Sequence, residues 1–339
     1  MTELYVPICS DCHKAQLIPS CISRLWNLHQ YWFSSMTLAA SIWKWQRFLD
    51  FITGDNQLQQ RELPISASLL YYSTTLLVAR LLRMTARSLH LLQPMQVYLL
   101  DFLASFQLVA CSLENVMIRT NYGFYAYCVT LFMLGIWHSL CLQGERGSPA
   151  DSFSEYLLGS MQFGEFWCRT GMQVLAGCVA YCYARLFWGL ELSQGHGQRI
   201  HTACSSDLAV PFLIGLVIEA GGTFIDNIVS AGINLQKSTQ FILLCKGTWG
   251  VMITLSGVHL TGMYLNPINA STQTLLCKGT SAVEHLIVYW LGPLLATAAA
   301  NWLRLCTKQI ILIPGEQSQS QLFQLQWRNE NSQEELQFS

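Results

Sequence analysis

One short stretch decides the fold of this chain: Leu260-Thr261-Gly262-Met263-Tyr264-Leu265-Asn266-Pro267-Ile268. Its glycine and its Asn-Pro pair have counterparts 118 residues earlier, at Gly144 and at Ser148-Pro149. A repeat with a fixed long period indicates a duplicated architecture, in which each copy carries one polar-Pro motif. The same offset relates a second set of residues: Asp101, Ser105 and Phe106 correspond to Glu219, Thr223 and Phe224.

The composition indicates a membrane protein. Of the 339 residues, 52% are hydrophobic and 12% are charged, and the mean hydropathy is +0.31. Soluble globular proteins carry about 25% charged residues, so the deficit favours a chain that spans a bilayer. The net charge of -1 gives no indication of nucleic-acid binding. Most of the thirteen cysteines lie inside apolar segments, as Cys111 and Cys182 do, and we interpret these as packing residues.

Six apolar segments are long enough to cross a hydrocarbon core of roughly 30 Å as helices. Because each copy contributes three spans, the second copy must enter the membrane from the opposite side, which makes an inverted repeat. The two polar-Pro motifs lie between the second and third span of each copy, in segments too short to cross alone. The predicted fold is therefore an all-α membrane bundle of six transmembrane helices and two re-entrant half-helices. The six spans cover residues 95–118, 122–142, 166–190, 208–230, 239–260 and 283–306.

One further apolar segment, at about 64–84, precedes the predicted spans. Its length is compatible with a seventh span, a re-entrant segment or an interfacial helix. The basic cluster of Arg80, Arg83 and Arg87 should lie on the cytoplasmic side. The predicted domains are an N-terminal extension, 1–94; a channel domain, 95–306, with repeats at about 95–190 and 208–306; and a polar cytoplasmic tail, 307–339, that we expect to be disordered.

Both polar-Pro motifs are typical of helix starts. Ser148 and Asn266 are favoured N-cap residues, and a proline is favoured at the first helical position. Either motif alone is most simply an ordinary helix cap. Their equivalent places in an inverted repeat predict instead that two short helices bring their N-termini together near the bilayer midplane. The positive ends of the two helix dipoles would then face one lumen, orient water and oppose the passage of cations.

These stretches resemble the aquaporin family, the major intrinsic proteins. Residues 260–268 are similar to the second pore loop of that family, whose hallmark is Asn-Pro-Ala, and residues 288–295 are similar to its last span. Residues 101–108 resemble its first span. The chain is most similar to the unorthodox intracellular branch, the super-aquaporins numbered eleven and twelve. This resemblance implies a right-handed bundle, a homotetramer with one pore per subunit, and residence in the endoplasmic reticulum or another internal membrane, with the plasma membrane as the alternative.

The two pore motifs depart from the family pattern. The first reads Ser148-Pro149-Ala150, and a serine hydroxyl supplies one donor where an asparagine amide supplies two. The second reads Asn266-Pro267-Ile268, so that a larger side chain is expected to pack against the first motif. Both serine and asparagine can still cap a half-helix.

The resemblance also assigns a selectivity filter. The family has an arginine three residues after the second Asn, and this chain has the neutral amide Asn269 there. The other filter positions would be held by Thr254, Met263 and Cys128. A filter without a fixed positive charge should oppose cations less and discriminate less among small neutral solutes.

Two acids lie inside predicted spans, Asp101 and Glu219. Intramembrane acids are costly and mostly functional. In the family, the equivalent glutamate is expected to brace the backbone carbonyls of the pore loops; the alternative is a polar contact with a neighbouring helix.

No cofactor or metal is predicted. The group Cys9-x-x-Cys12-His13 with Cys21 lacks the second ligand pair of a zinc site. No ordering of residues typical of a hydrolase or a phosphate loop occurs, so we do not expect an enzyme.

The predicted function is passive transport of water, with glycerol and hydrogen peroxide as further candidates. The alternative is a non-conducting membrane scaffold whose lumen is plugged by Ile268 and Met263. A seven-span receptor is disfavoured because an inverted repeat has no use there.

Overall fold

The structure is a computed structural model that describes residues 59–89, 93–142 and 144–310. The chain divides into two compact units, Met1–Leu63 and Pro64–Ser339, and of the first unit residues 59–63 are described, as the start of a helix. Several predictions lie outside the described residues: the candidate zinc ligands Cys9, Cys12, His13 and Cys21, most of the extension 1–94 and most of the tail 307–339.

The described residues form helices, and their β-structure is limited to one isolated bridge between Ser205 and Lys278. A π-helical turn, Ile287–Leu291, joins the last two helices. In chain order the helices are α1 (Gln59–Ser88), α2 (Gln93–Cys141), α3 (Pro149–Leu157), α4 (Phe163–Trp188), α5 (Gln194–His201), α6 (Phe212–Asn234), α7 (Thr239–Gly257), α8 (Pro267–Thr274), α9 (Ala282–Leu286) and α10 (Gly292–Ile310).

α2 contains the first two predicted spans, and the chain reverses between them. Gly123 interrupts the helix with φ 81° and ψ -171°, a conformation that only glycine adopts without strain. The reversal is required by a contact between the first half of α2 and the loop that follows its second half, because the carboxylate of Asp101 lies 2.7 Å from the backbone nitrogen of Arg146. Two antiparallel halves of α2 therefore supply the two predicted spans.

Among the described residues, four segments are long and apolar enough to cross a membrane. α4 and α7, which the sequence also predicts as spans, are helices of 26 and 19 residues but fall outside this group. Gln173 and Arg185 lower the hydropathy of α4, and Lys246 lowers that of α7. The four segments are Ile65–Ser88, Pro94–Cys141, Phe212–Asn234 and Ala282–Thr307.

The two copies pack their helices in the same way. α2 lies along α4 in the first copy, and α6 lies along α10 in the second. Across the copies, the second half of α2 approaches α7 closely, because a Cβ atom on Gly135 would lie 3.3 Å from the Cα atom of Gly247. Small residues at such crossings let helices pack tightly where lipid gives no hydrophobic driving force between them.

α1 is attached to the first copy by aromatic and polar contacts. The hydroxyl of Tyr71 donates to the carbonyl of Ala110 at 3.0 Å, and its ring packs against Phe187 of α4 with centroids 4.9 Å apart. Near the start of the helix, Ser68 donates to the buried carboxylate of Glu114 at 2.5 Å. The extra apolar segment is thus a full-length helix packed on the bundle, and Ile65–Ser88 is long enough to span.

Candidate functional site

The first polar-Pro motif starts α3. Ser148 is the N-cap, with extended backbone angles (φ -142°, ψ 143°), and its Oγ accepts a hydrogen bond from the backbone N–H of Ala150 at 3.2 Å. Pro149 follows at the first position of the helix, where its missing N–H is not needed. All three residues are buried.

The second motif starts α8 in the same manner. Asn266 is the N-cap, and its Oδ1 accepts from the backbone N–H groups of Ile268 at 2.9 Å and Asn269 at 3.4 Å. Pro267 again takes the first position. Each half-helix is therefore capped at its N-terminus by the polar residue that precedes its proline.

The two half-helices meet at these N-termini. The side-chain amide of Asn266 donates to the carbonyl oxygen of Gly147, the residue before the first motif, at 3.0 Å. Ser105 of α2 donates to the same oxygen at 3.2 Å. The N-terminal ends of both helix dipoles are thereby brought to one place, with the backbone N–H groups of their first turns directed toward it.

The two intramembrane acids hold the loops that lead into these motifs. Asp101 accepts from the backbone N–H of Arg146 at 2.7 Å, and Glu219 accepts from those of Tyr264 at 3.1 Å and Leu265 at 3.0 Å. Arg146 and Tyr264 are themselves related by the repeat offset. The expected bonds to backbone carbonyls are wrong, because an ionised carboxylate can only accept and therefore binds N–H groups.

The two acids have different additional partners. Arg169 of α4 donates to Asp101 at 3.1 Å and to Glu165 at 2.6 Å, so the first acid has a cation beside it. Glu219 instead accepts a third hydrogen bond, from the hydroxyl of Thr261 at 2.7 Å. Arg169 was not predicted as a site residue, although an arginine inside a predicted apolar span was an available signal.

The glycine that recurs in both pore loops, Gly144 and Gly262, is required by the backbone conformation at that position. Gly144 has φ 93° and Gly262 has φ 85°, both in the left-handed region that favours glycine. At Gly262 a Cβ atom would also lie 2.5 Å from the ring of Tyr264. Both pore loops therefore turn toward their half-helix through the same conformation.

Ile268 and Met263, the two bulky residues of the second loop, are packed into the helical bundle. Ile268 is 2% exposed and packs on Gly177 of α4, where an added Cβ atom would lie only 2.6 Å from the Cγ2 atom of Ile268. Met263 is 6% exposed and packs between two glycines. A Cβ atom added to Gly257 would lie 2.6 Å from its sulfur, and one added to Gly222 would lie 2.2 Å from its methyl group. Glycines on three helices thus accommodate the two bulky side chains of the second pore loop.

The remaining predicted filter residues are half-buried: Cys128 on α2, Thr254 on α7 and Asn269 on α8. The Oδ1 atom of Asn269 accepts from Nε2 of Gln273 at 2.9 Å, and the same nitrogen lies 2.9 Å from the hydroxyl of Ser112. Thr254 donates to a carbonyl one turn earlier in its own helix. Gln273 was missed by the sequence analysis, although its position one turn after Asn269 on a short polar helix could have indicated it.

A disulfide joins the loop before α6 to the loop after α8. Cys204 precedes α6, Cys277 follows α8, and the loops are also paired through backbone bonds between Ser206 and Lys278 at 2.8 Å and between Lys278 and Cys204 at 3.2 Å. This pairing was not predicted, and Cys182, interpreted as a packing residue, is exposed on α4. Within the described ranges no group of three His, Cys, Asp or Glu side chains could hold a metal ion.

Known proteins are similar to this chain in sequence and in architecture. No profile of a known protein family matches the chain. The protein named aquaporin-11 of Milnesium tardigradum is 26% identical over 236 residues, 69% of this chain and 85% of that relative. Aquaporin-11 of Homo sapiens is 28% identical over 200 residues, 58% of this chain and 73% of the relative. The X-ray structure of the aquaglyceroporin from Plasmodium falciparum matches with a TM-score of 0.51 at 14% identity, over 66% of this chain and 98% of that one, which shows the fold. The all-α fold predicted from the repeat is confirmed.

Proposed function

This chain is a multi-pass membrane channel of the aquaporin family, and on that premise we propose that it passes water down an osmotic gradient through the junction of α3 and α8. Glycerol and hydrogen peroxide are further candidate solutes. The observation that carries the proposal is the hydrogen bond from the amide of Asn266 to the carbonyl of Gly147 at 3.0 Å, because it places two capped helix N-termini at one point.

Such a junction favours polar neutral solutes over cations. Each helix N-terminus carries roughly half a positive charge, so two of them together repel a cation and attract the oxygen of a water molecule. The amide of Asn266 has two N–H donors, of which one is used by Gly147. We assign the other donor to the permeating solute.

The proposed filter is made by Asn269 with Thr254, Cys128 and the loop at Met263. The neutral amide of Asn269 is held by Gln273, and it supplies hydrogen-bonding groups without a fixed charge. A filter of this kind should admit small neutral solutes with less discrimination than one that contains arginine. Selectivity is therefore expected to rest on size and hydrogen bonding.

The scaffold alternative depended on a lumen plugged by Ile268 and Met263. Ile268 packs on Gly177 of α4, and Met263 packs between Gly222 and Gly257. Because both side chains are accommodated by glycines of the surrounding helices, their size gives no support to a plug, and the channel is the better-supported function.

The orientation in the membrane follows from charge and from the disulfide. Between Arg87 and Cys204 the chain passes through both halves of α2 and through α4, so these residues belong on opposite sides of the bilayer. Arginines favour the cytoplasmic side, and disulfides persist in oxidising compartments. We therefore place Arg87 on the cytoplasmic side and Cys204 in a lumen, and on the family resemblance we propose a homotetramer in the endoplasmic reticulum or another internal membrane.

The test is stopped-flow light scattering of proteoliposomes that contain the full chain, under an osmotic gradient. The variant Asn266→Leu should shrink no faster than empty liposomes, whereas Asn234→Leu, an exposed position at the end of α6, should keep the wild-type rate. Unchanged flux in Asn266→Leu, with the protein verifiably inserted, would show that the junction is not the pore. If the wild type itself conducts no water, uptake of glycerol and of peroxide is measured, and failure of all three favours the scaffold.

A further inference from the structure

A cavity of about 370 Å³ lies between α1 and the second half of α2, on the side opposite to the disulfide. Arg80, Arg83 and Arg87 line it from α1, and Trp137 lines it from α2. The three arginines are spaced by three and four residues, so they share one face of their helix. We call this space the arginine cavity.

The charge of the arginine cavity is only partly neutralised. Glu145, which follows α2, accepts from Arg87 at 2.5 Å. Arg83 donates to the neutral side chain of Gln107, and Arg80 is exposed. Three guanidinium groups thus meet one carboxylate, and the cavity keeps an excess of positive charge, which acts most strongly at Arg83 because that side chain is buried.

Two residues that line the cavity each carry a donor without an acceptor. Arg83 is 4% exposed, and its NH1 nitrogen is buried without a hydrogen-bond partner. The indole nitrogen of Trp137 is buried in the same condition. Both groups can only donate, and leaving such groups unpaired is costly, so the wall is complementary to a ligand that accepts hydrogen bonds and carries negative charge.

We propose that the arginine cavity binds a phosphate group together with part of the molecule that bears it. Arginine forks match phosphate oxygens with two parallel hydrogen bonds, which fits the buried, half-used guanidinium of Arg83. The volume falls within the roughly 300–1,000 Å³ of small-molecule sites, so there is room beyond the phosphate itself. The same chemistry is offered by an anionic lipid headgroup and by a soluble phosphate ester.

The surroundings favour the lipid headgroup of these two sources. The outer face of α1 next to the arginines carries exposed apolar side chains, among them Leu77, Leu81 and Met84, which acyl chains would cover. Basic pockets between helices at the cytoplasmic end of a bundle are suited to phosphorylated lipid headgroups. The phosphate would sit in the cavity while the acyl chains follow α1.

The experiment is native mass spectrometry of the full chain in a neutral detergent, which counts bound molecules directly. The probes are phosphatidylcholine, phosphatidylinositol 4-phosphate, soluble inositol 1,4-bisphosphate and inorganic phosphate. We expect the phosphoinositide to bind, and Arg83→Gln and Arg80→Gln each to weaken that binding by about tenfold, the usual loss when one charge-assisted hydrogen bond is removed. The matched control is Arg304→Gln, which removes a charge from the same membrane side outside the cavity and should bind as the wild type does.

Each outcome decides the proposal. Binding of the phosphoinositide alone assigns the site to a lipid, and equal binding of inositol bisphosphate assigns it to a soluble ester. The proposed site is refuted if phosphatidylinositol 4-phosphate, inositol bisphosphate and inorganic phosphate all bind no better than phosphatidylcholine. It is also refuted if Arg304→Gln weakens binding of the phosphoinositide as much as the cavity variants do. Arg80 is exposed and its replacement is compatible with folding, so this variant keeps the test decisive if Arg83→Gln does not fold. The readout is binding, and it stands or falls independently of water flux.

Discussion

The amide of Asn266 and the carbonyl of Gly147 are joined by a hydrogen bond of 3.0 Å that links the second repeat to the first. The repeat offers a second such link, since Ser148 is equivalent to Asn266 and Leu265 is equivalent to Gly147. Ser148 instead uses its oxygen as an acceptor for its own cap, from Ala150. The junction is therefore asymmetric, because Ser148 lacks the amide donor that Asn266 contributes.

Replacing Ser148 with asparagine should restore the second link. The new amide can cap α3 through its oxygen and donate to the carbonyl of Leu265, and a net hydrogen bond of this kind contributes about 0.5–1.5 kcal/mol. We expect a higher melting temperature in detergent and water permeability at or above the wild-type value. Ser160→Asn, at an exposed site after α3, is the control and should change neither quantity. A lower melting temperature in Ser148→Asn would show that the site has no room for the amide.

Stable packing of Ile268 on α4 is predicted to require a glycine at position 177. An alanine there would place its Cβ 2.6 Å from Cγ2 of Ile268 and 2.8 Å from Oγ1 of Thr272, and overpacking of this kind costs about 1–3 kcal/mol. Gly177→Ala should therefore melt at a lower temperature than the wild type. In Gly171→Ala, on the same helix, the added methyl group meets nothing within 4 Å, so this control should be neutral or slightly stabilising.

The double variant Gly177→Ala with Ile268→Ala separates a packing clash from a general effect of the helix. Because Ile268→Ala removes a buried side chain and is destabilising by itself, the effect of Gly177→Ala is measured in both backgrounds. Loss of Cγ2 removes the shorter of the two contacts, so Gly177→Ala should lower the melting temperature less in the Ile268→Ala background than in the wild type. If Gly177→Ala lowers the melting temperature equally in both backgrounds, the clash with Ile268 is not the cause.

The sequence predicts those parts of the site that depend on interactions between residues close together in the chain, and these recur in both copies 118 residues apart. Ser148 and Asn266 are helix caps because their side chains bind N–H groups two or three residues ahead. Gly144 and Gly262 share a positive φ for the same local reason. These features need no knowledge of distant packing, and a short motif is enough to reveal them.

Features set by partners far along the chain could not be predicted in this way. The contact of Ile268 with Gly177 joins two different helices, α8 and α4, so a short motif could not reveal it. The disulfide of Cys204 and Cys277 spans 73 residues, and pairing at that separation is decided by the folded loops. Both cysteines lie outside the predicted spans, which distinguishes them from the cysteines of the apolar segments. Their position in the sequence does not show that they pair with each other.

The disulfide is predicted to stabilise the loops around α8. Closing a loop of 73 residues is expected to contribute roughly 2–4 kcal/mol, so Cys204→Ser and Cys277→Ser should each lower the melting temperature. A reductant should lower it in the wild type and have little further effect in these two variants. Cys182→Ser, which replaces an exposed thiol on α4, should respond to the reductant as the wild type does. Equal sensitivity of all four proteins would contradict a structural disulfide.

Asn269→Arg tests whether the missing filter charge sets selectivity. The Oδ1 atom of Asn269 accepts from Gln273, so Asn269→Arg removes this acceptor but leaves the contact of Gln273 with Ser112 in place. A fixed cation at this point repels protons and other cations and narrows the passage, so proton leak and glycerol uptake should fall more than water flux does. Proton leak is followed with a pH-sensitive dye inside proteoliposomes, and glycerol uptake by light scattering. Asn269→Gln, which adds length without charge, is the matched control and separates narrowing from electrostatic repulsion, because it should leave proton leak near the wild-type value. If Asn269→Arg changes neither proton leak nor glycerol uptake, residue 269 does not face the permeating solute, and the filter must be sought at another level of the pore.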